Sequence, residues 1–255
     1  MSKIKIANIF MTIIVFVSVA VIFFIDPIPQ DLEYHKFVDS KNIFGIPNFW
    51  NVASNLPFLF IGIYALSQFK YLNIIQEIKL SYWLFFFAVA MVAFGSGYYH
   101  YDPNNISLVW DRLPMTLAFM SLFSIIISEF ISVRKGQVLL WPLLIIGLFS
   151  VLYWLWTESN GVGDLRFYVL VQFLPIIFIP IILVCYTTRF NNIVGYWLLL
   201  VAYIIAKVLE YFDWQLFELS FGYISGHAVK HIMAAIGVYF LYINYKNRSL
   251  RKDDS

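Results

Sequence analysis

Charge is scarce in this sequence: 13% of its 255 residues are Asp, Glu, Lys or Arg, about half the ~25% usual in a soluble domain. Cysteine is almost missing. The single Cys185 excludes an internal disulfide framework and a thiolate metal cluster. A net charge of either sign is lacking too, with 17 basic against 15 acidic side chains, so the basic footprint of a nucleic-acid partner is not present. Histidine occurs four times, which makes any grouping of histidines conspicuous. What fills the chain instead is apolar surface, at 61% of residues, in blocks too long for buried core helices. In lipid every backbone polar group must be satisfied within the protein, and long continuous apolar runs do that as helices. The fold class is therefore all-α, a polytopic membrane helix bundle.

Eight segments of spanning length are expected at Ala7–Ile25, Phe49–Leu66, Leu80–Tyr99, Leu113–Ile131, Val138–Trp156, Phe167–Tyr186, Val194–Phe212 and Gly226–Tyr242. No small-x-small cleavage site follows Phe24, so the first is expected to be a retained helix and not a signal peptide. Short connections imply one compact bundle. With the N-terminus inside, the inner segments collect Lys3, Lys5, Lys70, Lys79, Arg134, Lys135, Arg189, Lys246, Arg248, Arg251 and Lys252. The outer ones hold only Lys36, Lys41, Arg112 and Arg166. This bias predicts both termini on the cytoplasmic side. Acidic residues gather on the other side, among them Asp31, Glu33, Asp39, Asp102, Asp111 and Asp164. One outer loop carries a glycosylation pattern at Asn105, too short to identify the membrane.

On this map the rare polar residues converge. Ser96 and His100 end the third span, four residues apart and so on one helix face. Asp111 opens the fourth span from the same side. His227 and His231 open the eighth, again four apart. Five groups from three helices thus arrive at one depth, near the outer boundary, although more than 110 residues separate the two halves. Three neutral imidazoles and a water make a tetrahedral zinc site with one open position. Such an ion polarises a carbonyl and lowers the pKa of its water. Asp111 is suited to accept that water's proton, and Ser96 to donate to a developing oxyanion. The implied chemistry is hydrolysis of an acyl bond within reach of lipid.

The ordered set Ser96-x3-His100, Asp111 eleven residues later, and His227-x3-His231 in the last helix resembles the alkaline ceramidase family. So does "NFWNVASNLPF" (Asn48–Phe58), which is similar to the family's "FWN…SN" opening of its first core helix. The resemblance covers seven spans from about Phe49 onward. It implies a seven-helix hydrolase core at 48–245, an additional N-terminal transmembrane helix and outer loop at 1–47, and a short charged inner tail at 246–255. It further implies zinc on His100, His227 and His231, with Ser96 and Asp111 in catalytic support. The activity implied is hydrolysis of ceramide-like amides to a sphingoid base and a fatty acid. Animal members of the family also carry an acidic calcium-binding stretch before the first core helix. Here only Asp39, Asn42 and Asn48 offer side-chain oxygens in that place, so calcium departs from the pattern. The wider superfamily includes the progestin and adipoQ receptors and the hemolysin III-like proteins.

Two other classes compete: a receptor-like member of that superfamily, and a transporter with a metal or proton site. "FWNVASN" and the eleven-residue His-to-Asp spacing favour the ceramidase branch. Pro142, Pro175 and Pro180 form no repeat-related pairing of the kind that marks broken transporter helices. Around the site, Lys207, Glu210 and Asp213 share one face of the seventh span, and Lys230 lies between the two histidines. These four either orient the ligands or tie the last two spans together. Asn51 and Asn55, with Ser54 beside them, either bond across helices or help hold the site. Tyr98, Tyr99 and Trp110 are candidates for a substrate pocket, while His35 reads as structural or solvated.

Overall fold

The computed structural model describes residues 2–251; of the tail expected at 246–255, residues 252–255 lie outside the described residues. Helices dominate them: α1 (Lys3–Phe24), α2 (Phe49–Ala53), α3 (Leu56–Ser67), α4 (Lys79–Tyr101), α5 (Asn105–Ile126), α6 (Val133–Ser159), α7 (Arg166–Cys185), α8 (Val194–Tyr211), α9 (Asp213–Leu219) and α10 (Gly226–Asn247). Only the isolated bridges Ile43–Ile46 and Phe190–Leu250 pair as β among the described residues. Eight helical stretches are long and apolar enough to cross a membrane, one for each expected span. The chain is an all-α membrane bundle.

Two boundaries differ from the sequence expectation in ways that matter for the site. The second span is not one helix, because Pro57 at the start of α3 lacks an N–H and its ring crowds the carbonyl four residues back. The chain therefore turns at Ser54 and Asn55 between α2 and α3. The fourth span begins earlier than Leu113. Asn104 caps it, accepting from the N–H groups of Ile106 and Ser107, while the Ser107 hydroxyl accepts from the Asn104 N–H. Asp111 consequently stands about 9 Å inside α5 and does not open it. Pro114 inside α5 is tolerated as prolines commonly are in packed membrane helices.

α4 and α5 form the buried centre, packed as an antiparallel hairpin, with α3 on one side and α6 and α7 on the other. α8 packs on α10, and α10 returns to α3, so the helices surround a central space. α7 meets α8 through a hydrogen bond from Gln172 Nε2 to the Tyr203 hydroxyl (3.2 Å). α1 lies apart, packed on α7 and otherwise largely exposed. Its C-terminal carbonyls at Ile22 and Ile25 accept from Arg166 Nη1, and Asp164 holds that guanidinium in turn.

The end of the chain differs from a solvated tail. α10 continues through Asn247, and Arg248 is buried. Arg248 donates through both terminal nitrogens to the two oxygens of Glu129, at 2.6 and 2.8 Å, and through Nε to the Asn73 carbonyl. Glu129 sits on a single π-helical turn, Ile127–Ile131, that extends α5. Tyr82 also bonds Glu129.

Candidate functional site

The α4–α5 hairpin sets the depth of the first half of the site. Ser96 lies five residues before the end of α4 and Asp111 six after the start of α5, and equal distances from the turn of an antiparallel pair mean equal depth. A Cβ added at Gly95 would stand 1.9 Å from the Trp110 carbonyl oxygen. Only glycine permits this approach, and it brings the Ser96 hydroxyl within reach of the Asp111 carboxyl. The second half is set by the start of α10, which Ser225 caps by accepting from the Ala228 N–H. Gly226 performs the same service as Gly95, since its Cβ would stand 2.2 Å from the Leu209 carbonyl oxygen of α8.

His100, His227 and His231 meet, all buried. One ring nitrogen from each lies within 4.8 Å of the others, and the Nε2 atoms of His100 and His227 are 3.4 Å apart. Four-coordinate zinc with Zn–N of about 2.0–2.1 Å sets its ligand nitrogens about 3.3–3.4 Å apart along a tetrahedral edge. The donor set therefore fits a small divalent ion that favours imidazole. No other group of three or more His, Cys, Asp or Glu side chains among the described residues has such spacing.

All five residues singled out from the sequence line one cavity of about 840 Å³. Each helix contributes a stripe. On α4 it runs Phe85, Val89, Val92, Ser96, His100; on α5, Ile126, Leu122, Ala118, Met115, Asp111; on α10, Val238, Ala234, His231, His227. Spacings of three and four keep each stripe on one face. The polar ends of the stripes lie together and their apolar ends descend between the helices. Tyr98 and Trp110 do not line this space and are about half exposed. Tyr99 is buried instead against His35, whose ring nitrogens bond the Tyr99 hydroxyl (3.0 Å) and Asn105 Oδ1 (2.8 Å).

The surroundings include two residues that the sequence did not single out as ligand contacts. The Ser54 hydroxyl lies 2.9 Å from His231 Nδ1 and donates to the Asn51 carbonyl. The helix break at Pro57 frees Ser54 to reach there, and "NVASN" was the available signal. Phe37, in the loop before α2, packs edge-on against His100 (4.7 Å between centroids) and tilted against His227 (5.2 Å). Nothing in the periodicity of a loop announces it. The same loop braces the site from outside: Asn48 Nδ2 donates to the His100 carbonyl, Asn51 Nδ2 to the Asp39 carbonyl, and Ser225 to Asn51 Oδ1. Asp39 is buried and accepts from the Lys41 N–H, and burial pushes its carboxyl above the usual range.

The charged neighbours divide into two kinds. Glu210 takes Lys207 on one oxygen (2.7 Å) and Lys230 on the other, so this trio ties α8 to α10. Asp213 reaches one of the three clustered histidines, accepting from the His227 backbone N–H at 2.7 Å. Arg112 does not pair with Asp111. It stacks between Trp154 and Tyr168 and donates to Gln30.

No curated relative matches the chain. The Ceramidase family model matches residues 43–254, a stretch that begins just before α2, leaves α1 and the Phe37 loop outside, and contains Ser96, His100, Asp111, His227 and His231. On that match the chain belongs to the ceramidase family, hydrolases of amide bonds in ceramide lipids.

Proposed function

We propose that the protein is a zinc-dependent amidase that cleaves the N-acyl bond of ceramide-like lipids within the membrane, releasing a sphingoid base and a fatty acid. The observation that carries this reading is the joining of three buried imidazoles, with ligand nitrogens within 4.8 Å of one another, to an apolar chamber in a ceramidase-family chain. Bound there, zinc would supply a Lewis acid for the amide carbonyl and make water a nucleophile near neutral pH. His100, His227 and His231 are its ligands. Ser54 accepts from His231 Nδ1–H, which fixes the tautomer that leaves Nε2 free for coordination. Asp111 takes the proton of the attacking water and returns it to the departing amine. Ser96 donates to the oxygen that gains negative charge. Phe37 keeps bulk water off the ligands from the loop side.

The excess of basic residues in the inner segments supports both termini in the cytoplasm and this site towards the outer leaflet. The core at 48–245 carries the activity, and α1 is an addition to it.

Two measurements test the reading. Purified protein is to be assayed for metal content and for fatty-acid release from a panel of N-acyl lipids, before and after chelation. One zinc per chain, activity lost with the metal and restored by zinc, is the expected outcome. A zinc-free protein with full activity would sink the proposal. For the positioning role, Ser54→Ala is expected to weaken zinc binding about 10- to 100-fold in a chelator competition. Unchanged zinc affinity in that variant would remove Ser54 from the ligand support.

A further inference from the structure

The apolar chamber below the three histidines has its far end among Phe85, Ile126, Val238 and Tyr196, and the last of these has a rigid backing. Tyr196, at the opposite end of α8 from Lys207, lines the cavity and is buried. Its hydroxyl accepts from the Tyr245 hydroxyl at 3.0 Å. The Tyr245 ring lies 4.4 Å from the Arg248 guanidinium carbon, and Glu129 grips that guanidinium through both oxygens. Phe130 also packs edge-on against Tyr196, with ring centroids 5.9 Å apart. A tyrosine held by an aromatic neighbour, a phenol partner and a buried ion pair has little freedom to swing aside.

We infer that Tyr196 is the floor of the acyl-chain chamber and sets the longest N-acyl chain the enzyme accepts. This rests on the amidase reading above and adds to it a specificity-determining residue. The acyl half of the substrate starts at the reacting carbonyl, so it is the half that continues from the metal site into apolar surroundings. Both halves of a ceramide carry alkyl chains, but the hydroxyls of the amine half, close to the amide nitrogen, suit the polar rim at Gln30, Asp31 and Lys207, which leaves the chamber beyond the site to the acyl chain. Eleven residues separate Tyr196 from Lys207 on α8, and eleven separate Phe85 from Ser96 on α4; at the helical rise each interval is about 16 Å. An extended zigzag chain advances about 1.2 Å per bond, so the chamber holds roughly 13 bonds before a straight chain meets the phenol ring. Longer chains must bend there and lose contacts.

The test uses the full chain in detergent or vesicles. Hydrolysis is measured across ceramides of rising acyl length, and equilibrium binding of the matching free fatty acids is measured in parallel. Tyr196→Ala should raise the ratio of long-chain to medium-chain turnover at least about tenfold, the scale on which a pocket discriminates by methylenes. The binding optimum should move to longer acids in step. Tyr196→Phe, which keeps the ring, should keep the wild-type ceiling. Val238→Phe, which narrows the chamber from α10, should lower it, and this variant decides the matter if Tyr196→Ala does not fold. Identical chain-length profiles in folded Tyr196→Ala and Val238→Phe overturn the inference. Failure of the amidase reading registers separately: wild type would then cleave no ceramide, while the fatty-acid binding series would still report where the chamber ends.

Discussion

Replacing His231 with alanine is expected to abolish metal retention and to lower turnover by roughly 10³-fold or more, since a Lewis acid contributes several kcal/mol of transition-state stabilisation and each 1.36 kcal/mol is tenfold in rate. His231 is buried and supplies one of only three imidazoles in the cavity. Without it two histidines remain, with no fourth histidine or any cysteine near enough to substitute. His35 is committed to Tyr99 and Asn105, and Cys185 ends α7 far from the site in the sequence of elements. The substitution should leave the helix standing. The Ser225 cap, the Asp213 bond to the His227 N–H and the Lys230–Glu210 pair all hold α10 independently of this imidazole. Metal analysis and lipid turnover on folded protein therefore read the ligand and not the fold. Asp111→Asn is the informative companion, because it keeps all three imidazoles while removing the proposed proton acceptor. It should retain zinc and lose turnover. Zinc retained at one per chain in His231→Ala would remove this histidine from the ligand set.

Much of this arrangement is legible in the sequence because the membrane simplifies it. Eight apolar runs give eight spanning stretches, and the inequality of basic residues suggests their direction. The stripes are legible as well: Phe85, Val89, Val92, Ser96 and His100 recur at intervals of three and four, and the stripe changes from apolar to polar where the cavity changes from chamber to site. What stays hidden depends on backbone events without periodicity. The turn at Ser54 arises from one proline, and it converts a residue of an apparent helix face into a partner of His231. The early start of α5 depends on a cap at Asn104, because polar residues ahead of Leu113 read as loop. Phe37 reaches the histidines from a segment with almost no regular structure. Such contacts are set by how a loop folds back on the bundle, which hydropathy does not encode.

Arg248 is the sharpest instance, and it carries the second large effect. By position it counts among basic residues that sort a short loop to the inner side. In the structure its side chain is fully buried, its charge met by Glu129, whose side chain is equally buried. Removing one partner of such a pair leaves an uncompensated charge out of water, which costs about 3–5 kcal/mol. Arg248→Ala and Glu129→Ala are each expected to lose stability on that scale, measured by denaturant or thermal unfolding in detergent. The double variant Arg248→Met, Glu129→Leu should recover much of the loss, because taking both charges away removes the desolvation cost along with the attraction. Additive losses in the double variant would mean that the two groups act separately, through Asn73 and Tyr82. The location of the pair gives its loss a second consequence. Arg248 supports Tyr245, Tyr245 bonds Tyr196, and Tyr196 closes the chamber. A variant that loosens the clasp but still folds should therefore blur the chain-length ceiling while leaving zinc content unchanged. That combination separates a failure of the chamber floor from a failure of the metal site at the other end of the same cavity.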